Sequence, residues 1–175
     1  MPQLVRPDPC YRVSFLAAMA EFADEGRSGD DSQVGSDLAT YADTWHTEAG
    51  FVTYVEDVTA ESHTPRREGY VTSTNLWWVD GVDYLGRISV RHRLTDFLLE
   101  VGGHIGYDVR RSRRREGHAT AMLAAALPVV ADLGIDPALI TCDVTNTASR
   151  LVIEHNGGVF EDQRGKKLRY WVPTR

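Results

Sequence analysis

The chain has 175 residues, 42% hydrophobic and 25% charged, with a formal net charge of −6. That length suits one domain spanning 1–175, and the apolar fraction excludes a disordered, collagen-like or fibrous chain. No apolar run approaches the ~18 residues of a membrane span. Met1 to Pro7 lacks the apolar core of a secretion signal, and two cysteines, Cys10 and Cys142, make no disulfide framework, so the expected compartment is the cytosol with no membrane partner.

In chain order, Gln3 to Arg6 reads as a strand. Asp8 caps a helix whose first position is Pro9, and Phe15, Leu16, Met19, Ala20 and Phe22 form its apolar face up to Gly26. After a polar loop, Ser36 or Asp37 is expected to cap a second helix through Leu38, Tyr41, Ala42, Trp45 and Ala49. Val52 to Val58 fits helix or strand, and 62–69 is a basic, proline-containing loop. From Tyr70 the pattern turns to strands: Val71 to Val79, an Asp80-Gly81 turn, then Tyr84 to Val90 as the hairpin's return. A short helix or loop over 91–100 precedes Gly102-Gly103 and a strand from His104 to Arg110. Met122, Leu123, Ala126, Leu127, Val130 and Leu133 mark a helix over 117–134, with a kink expected at Pro128. A strand at 139–144, a helix at 148–155 and a hairpin over 159–172 complete the chain. This order predicts a mixed α/β sandwich with one parallel strand pair across the 117–134 helix.

Charge is uneven. Residues 1–60 hold 11 acidic and 3 basic residues, residues 61–175 hold 14 and 16, and five arginines fall between Arg110 and Arg115. The acidic third reads as a solvated face or an electronegative vestibule, and the arginine run as a turn or an anion site. The negative total argues against general nucleic-acid binding.

The run from Gly106 to Ala119 carries the chemistry. A strand ends in a basic turn, and Arg114-x-x-Gly117-x-Ala119 opens a helix whose first amides lack internal partners, which makes a phosphate cradle. About 30 residues later come Thr141-Cys142-Asp143-Val144-Thr145-Asn146-Thr147-Ala148-Ser149 and Glu154-His155-Asn156-Gly157-Gly158. Here the sequence resembles the GNAT family of acyl-CoA-dependent N-acyltransferases over about 70–172, most specifically over 104–158. Gly102 to Tyr107 and Arg91-His92-x-Leu94 resemble a subgroup of predicted acetyltransferases.

The resemblance implies a central, mostly antiparallel sheet flanked by helices, with splayed parallel strands at the cofactor slot. Residues 1–69 would lie on the acceptor side and 70–175 would form the acyl-CoA core. The strand at 107–110 would hold a pantetheine arm, the amide near Val109 or Arg110 would polarise the thioester, and the amides from Arg114 to Thr120, including Arg115, Gly117, His118 and Ala119, would hold the diphosphate. The side chain of Arg114 or Arg115 would lie near the adenosine phosphates, and Asn146 and Ser149 would meet the lower arm. Many relatives carry a tyrosine seven residues after the asparagine; here that residue is Ile153, so either Tyr107, a water or another group replaces it as acid, or the thiolate leaves unprotonated. His104 and His92 are candidate bases, with Asp108 and Glu100 behind them, and Cys142 reads as core. One of Trp77 and Trp78 is expected in the core and the other partly exposed, an aromatic wall for the acceptor being the alternative. No metal spacing occurs.

The expected activity is transfer of an acetyl group from acetyl-CoA to a small amine. The alternatives are a carrier-protein thioester or aminoacyl-tRNA as donor, or a non-catalytic CoA-binding module. A homodimer is left open.

Overall fold

The computed structural model describes all 175 residues. Strand β1 (Gln3–Val5) leads into a 3-10 turn at Pro9–Tyr11, where the Asp8 carboxylate accepts from the Cys10 amide, and then into α1 (Arg12–Asp24). Phe15, Ala18, Met19 and Phe22 recur at i, i+3, i+4 and i+7 and are buried along one stripe.

The second helix departs from expectation. It runs as α2 (Gln33–Tyr41), capped by Ser32, whose hydroxyl accepts from the Gly35 amide at 3.0 Å. Asp37 is not a cap but a fully buried carboxylate inside the helix, held by Arg87 and Arg66. The chain breaks after Tyr41, and Thr47 caps a separate α3 (Glu48–Ala60), so the ambiguous stretch 52–58 is helical. Its stripe is Phe51, Tyr54, Val55 and Val58.

Strands β2 (Ser73–Asp80) and β3 (Asp83–Arg91) form the expected hairpin, and α4 (Asp96–Glu100) is capped by Thr95. β4 (Ile105–Val109) is followed by α5 (His118–Asp132), which continues through Pro128 as one helix. β5 (Ala138–Asp143), α6 (Thr147–His155), β6 (Val159–Arg164) and β7 (Lys167–Val172) close the fold.

The strands order as β1-β2-β3-β4 and β5-β7-β6, and every ladder is antiparallel. The parallel ladder expected between β4 and β5 does not form. The two segments meet only at their start, where the His104 amide donates to Leu139 O at 2.8 Å and Gly103 bridges Ile140. Gly103 has φ +60°, and a Cβ there would stand 2.4 Å from Leu139 O, so only glycine allows this approach.

Two cores lie on opposite faces of the first sheet. Alternation along β2 sends Trp77 to the face covered by α1, α2 and α3, where its ring stacks 5.0 Å from Phe15, and Trp78 to the face covered by α5 and the second sheet. Both rings are buried, contrary to the expectation of one partly exposed ring, because helices cover both faces.

Candidate active site

The register of β4 decides which of its groups are free. Arg91 N donates to His104 O at 2.7 Å and Arg110 N to Leu85 O at 2.9 Å, so even-numbered residues face β3 with their main chain. The main-chain groups of Tyr107 and Val109 point the other way, towards β5, with which no ladder forms. This is an open strand edge inside the molecule. Of the two amides named from sequence, that of Arg110 is consumed by Leu85, which leaves Val109, and Tyr107 joins it.

Beyond the strand the chain passes through Arg111–Arg113, then Arg115 at φ +66° and Gly117 at φ +81°. These left-handed residues turn the main chain so that the amides from Arg115 to Thr120 find no acceptor in the protein. Gly117 caps α5 without a side chain, so the positive end of the helix dipole is bare. The turn opens into a groove of about 730 Å³ between α5 and α6, lined by Gly117, Thr120, Ala121, Ala124, Leu151, Val152, His155 and Asn156.

Two arginines of the run do something else. Arg114 makes a bidentate pair with Glu25 (2.6 and 2.9 Å) and donates from Nε to Val109 O at 3.0 Å. Arg110 pairs with Glu21 at 2.5 Å and also reaches Tyr84 O and Ser14. The expectation that Arg114 reaches a ligand's phosphates is therefore corrected: its fork is spent on Glu25. Burial alone would raise the Glu21 carboxyl, but hydrogen bonds from Arg110 and from the Ser112 amide and hydroxyl outweigh it and hold it down to about 2. Glu21 and Glu25 lie one helical turn apart, as Arg110 and Arg114 are four apart; the acidic first third thus contains a clamp for the basic turn. Arg111 and Arg115 remain exposed and outside any ion pair, while Arg113 joins Glu116, which also contacts His118 Nε2 at 3.1 Å. His118 Nδ1 accepts from the Trp78 indole at 3.3 Å.

The expected parity of β4 is seen in packing. Ile105, Val109 and Tyr107 meet the core under α5 and α6, while Asp108 emerges on the other face and binds Arg27 at 2.6 Å. The Tyr107 hydroxyl lies 2.7 Å from Ser149 Oγ, and Asn146 caps α6 by accepting from the Ser149 amide at 3.0 Å. Burial pushes the Tyr107 phenol up to about 12, so it stays protonated at neutral pH. Ile153 is fully buried and supplies no acid.

His104 is corrected as a base. Its Nδ1 accepts from the Leu139 amide at 2.9 Å, so the neutral ring carries its proton on Nε2 and its lone pair is occupied. Burial, reinforced by Arg91, lowers its pKa to about 4. His92 Nε2 is held 2.8 Å from Thr74 Oγ1, and burial followed by His63 lowers its pKa. Cys142 is buried in the core, where burial raises its thiol pKa.

A cluster absent from the sequence reading lies beneath α2 and α3. Asp37 receives Arg87 at 2.6 Å, the Tyr54 hydroxyl at 2.8 Å and Arg66, which also pairs with Glu61. An arginine inside the strand Tyr84 to Val90, whose only other polar side chains are the Tyr84 hydroxyl and Ser89, was its one legible sign.

A family model described as an acetyltransferase (GNAT) domain matches residues 32–159. By sequence, no curated protein matches the chain. Among solved structures it is similar to the microcin C7 self-immunity acetyltransferase MccE in complex with acetyl-CoA and AMP, at 13% identity over 98% of this chain and 92% of that one, TM-score 0.68. The ribosomal-protein-S5-alanine acetyltransferase of Vibrio fischeri gives 13%, 99%, 93% and 0.68. Mycobacterium smegmatis RimJ with CoA-disulfide gives 17%, 98%, 80% and 0.64. These likenesses establish a shared fold. No helix is long and apolar enough to cross a membrane.

Proposed function

The chain belongs to the acetyltransferase (GNAT) family, whose acyl donor is acetyl-CoA, and from that premise we propose that it acetylates the amine of a small molecule by direct attack. The observation that carries this reading is the continuity of three features: the open inner edge of β4, the free amides from Arg115 to Thr120, and the groove between α5 and α6.

The amides from Arg115 to Thr120 bind the diphosphate of the donor, at about 1.5–3 kcal/mol for each charge-assisted bond, and the exposed Arg111 and Arg115 add positive charge. Val109 adjoins this turn, since Arg114 bonds its carbonyl. A pantetheine arm is longer than the ~6.6 Å that separates Val109 from Tyr107. Val109 therefore orders the arm, and the Tyr107 amide, further up the edge, receives the charge that gathers on the thioester oxygen. The protonated Tyr107 phenol, held by Ser149, supplies the leaving sulfur with a proton in place of a residue at 153. On the other face, Asp108 is the carboxylate next to this edge and takes the amine's proton through water, while Arg27 holds it in place.

Direct attack is favoured because the one thiol near the slot, Cys142, is buried and protonated. A small acceptor is favoured because the Arg27–Asp108 bridge ties the loop after α1 across this face of β4. The test is calorimetry with acetyl-CoA and desulfo-CoA, then thiol release with a panel of small amines and of peptides with free N-termini. Micromolar binding and release with small amines support the reading. Transfer to peptides alone, as the ribosomal-protein acetyltransferases among its structural relatives would suggest, moves the acceptor class to proteins; no binding overturns it.

A further inference from the structure

The acceptor face holds one cation that its surroundings do not neutralise. Arg91 ends β3 on the face that carries Arg87 and Ser89, and its guanidinium lies across β4, so that a Cβ on Gly106 would meet Nη2 at 3.6 Å and Nη1 at 3.8 Å. Nη1 donates to Gly102 O at 3.1 Å and Gly103 O at 3.2 Å. Nε and Nη2 have no partner in the chain and reach accessible space. No carboxylate stands within ion-pair distance. Every other arginine whose side chain is not exposed has one, from Arg12 with Glu48 to Arg169 with Asp162. Burial without a carboxylate counter-charge lowers the pKa of Arg91, whereas the groups around the equally shielded Arg87 raise its pKa.

The free pair, Nε and Nη2, is one edge of the guanidinium fork, a shape that matches a carboxylate with two parallel hydrogen bonds. Gly106 leaves open the space beneath it. We propose that Arg91 binds the carboxylate of the acceptor, so that the substrate class is amines bearing a carboxylate a few bonds away, of which free amino acids are the simplest. The spacing agrees with this: Gly106 adjoins Tyr107, one residue or about 3.3 Å along the strand. An amine directed at the thioester held by the Tyr107 amide therefore brings a nearby carboxylate to Arg91. The inference rests on the assignment of acetyl transfer at that edge.

The experiment compares, on the wild-type enzyme with acetyl-CoA, each of several amino acids with its own carboxamide, and repeats the comparison with Arg91→Gln. Expected is a kcat/KM at least about tenfold higher for the acids, the size of one lost charge-assisted pair. In the variant, KM for the acids rises about tenfold or more, kcat and the acetyl-CoA Kd stay within about twofold, and the preference disappears. Carboxamides that serve as well as acids overturn the proposal, as does turnover confined to amines without a carboxylate. Failure to bind acetyl-CoA at all marks failure of the underlying transferase reading, and the proposal falls with it. If Arg91→Gln melts early through loss of its bond to the Gly102-Gly103 turn, the wild-type comparison still decides.

Discussion

β4 carries two working regions of opposite construction. At its C-terminal end the cradle from Arg115 to Thr120 is contiguous in the chain and made of main-chain amides, with Gly117 at φ +81° and a helix start that leaves donors bare. On the face that bears Asp108 the groups come from far apart: Asp108 from β4, Arg27 from the loop after α1, Arg91 and Arg87 from β3, and Asp37 from α2. In the function proposed above, the first region binds a constant feature, a diphosphate, through unpaired amides, and the second selects a variable one through the side-chain charges that the fold leaves unbalanced.

The largest test of this contrast is Asp37→Ala. Removing the carboxylate leaves the fully buried Arg87 without its counter-charge, and urea unfolding should show a loss of about 3–5 kcal/mol. The sharpest kinetic test is Tyr107→Phe, which keeps the amide and deletes the acid. We expect kcat to fall about a hundredfold with the acetyl-CoA Kd unchanged, measured by thiol release and calorimetry. Gly117→Val should act on the cradle alone. A β-branched residue resists a φ of +81°, though nothing crowds a Cβ there, so affinity for acetyl-CoA should drop at least about tenfold while the far-ultraviolet spectrum is unchanged.

A smaller effect separates the clamp from the cradle it holds. The Glu21 pKa is depressed in the folded state, so its bonds to Arg110 and Ser112 contribute stability above the unfolded carboxyl's pKa of 4.5, and that contribution is lost as pH falls towards about 2. Wild-type stability should therefore decline between about pH 5 and pH 2 by more than that of Glu21→Gln, in denaturant titrations across that range. The smallest expected effect is on catalysis in His104→Asn: because the imidazole lone pair is already taken by Leu139, the pH–rate profile between about pH 6 and 9 should keep its shape. A profile that loses a limb would restore His104 as a base.

Much of this was legible along the chain because its causes are local. The apolar spacing of α1 and α5, the Asp80-Gly81 turn and the free donors before Ala121 depend on residues within a turn of one another. Alternation on β4 correctly divided Ile105, Tyr107 and Val109 from Asp108. Misreadings arose where a distant partner changed a residue's meaning. Asp37 has the chemistry of a helix cap but is recruited by Arg87, 50 residues away, and Arg114 belongs by motif to a phosphate site but is claimed by Glu25. The Glu21–Arg110 and Glu25–Arg114 clamps had one available sign, a shared spacing of four.

The sequence by itself determined most of the helices and strands, though not the break between α2 and α3, and the turn with free amides before α5, since periodicity, glycine conformation and unpaired helix amides are properties of short segments; the family followed from resemblance. Only the tertiary structure decided that β4 and β5 part after His104, that Trp77 and Trp78 anchor two separate cores, and that Arg91 alone among the shielded arginines lacks a carboxylate. Strand pairing and charge balance are sums over groups that meet in space, and their outcome is set by which partners the fold brings within about 4 Å and which it leaves without one.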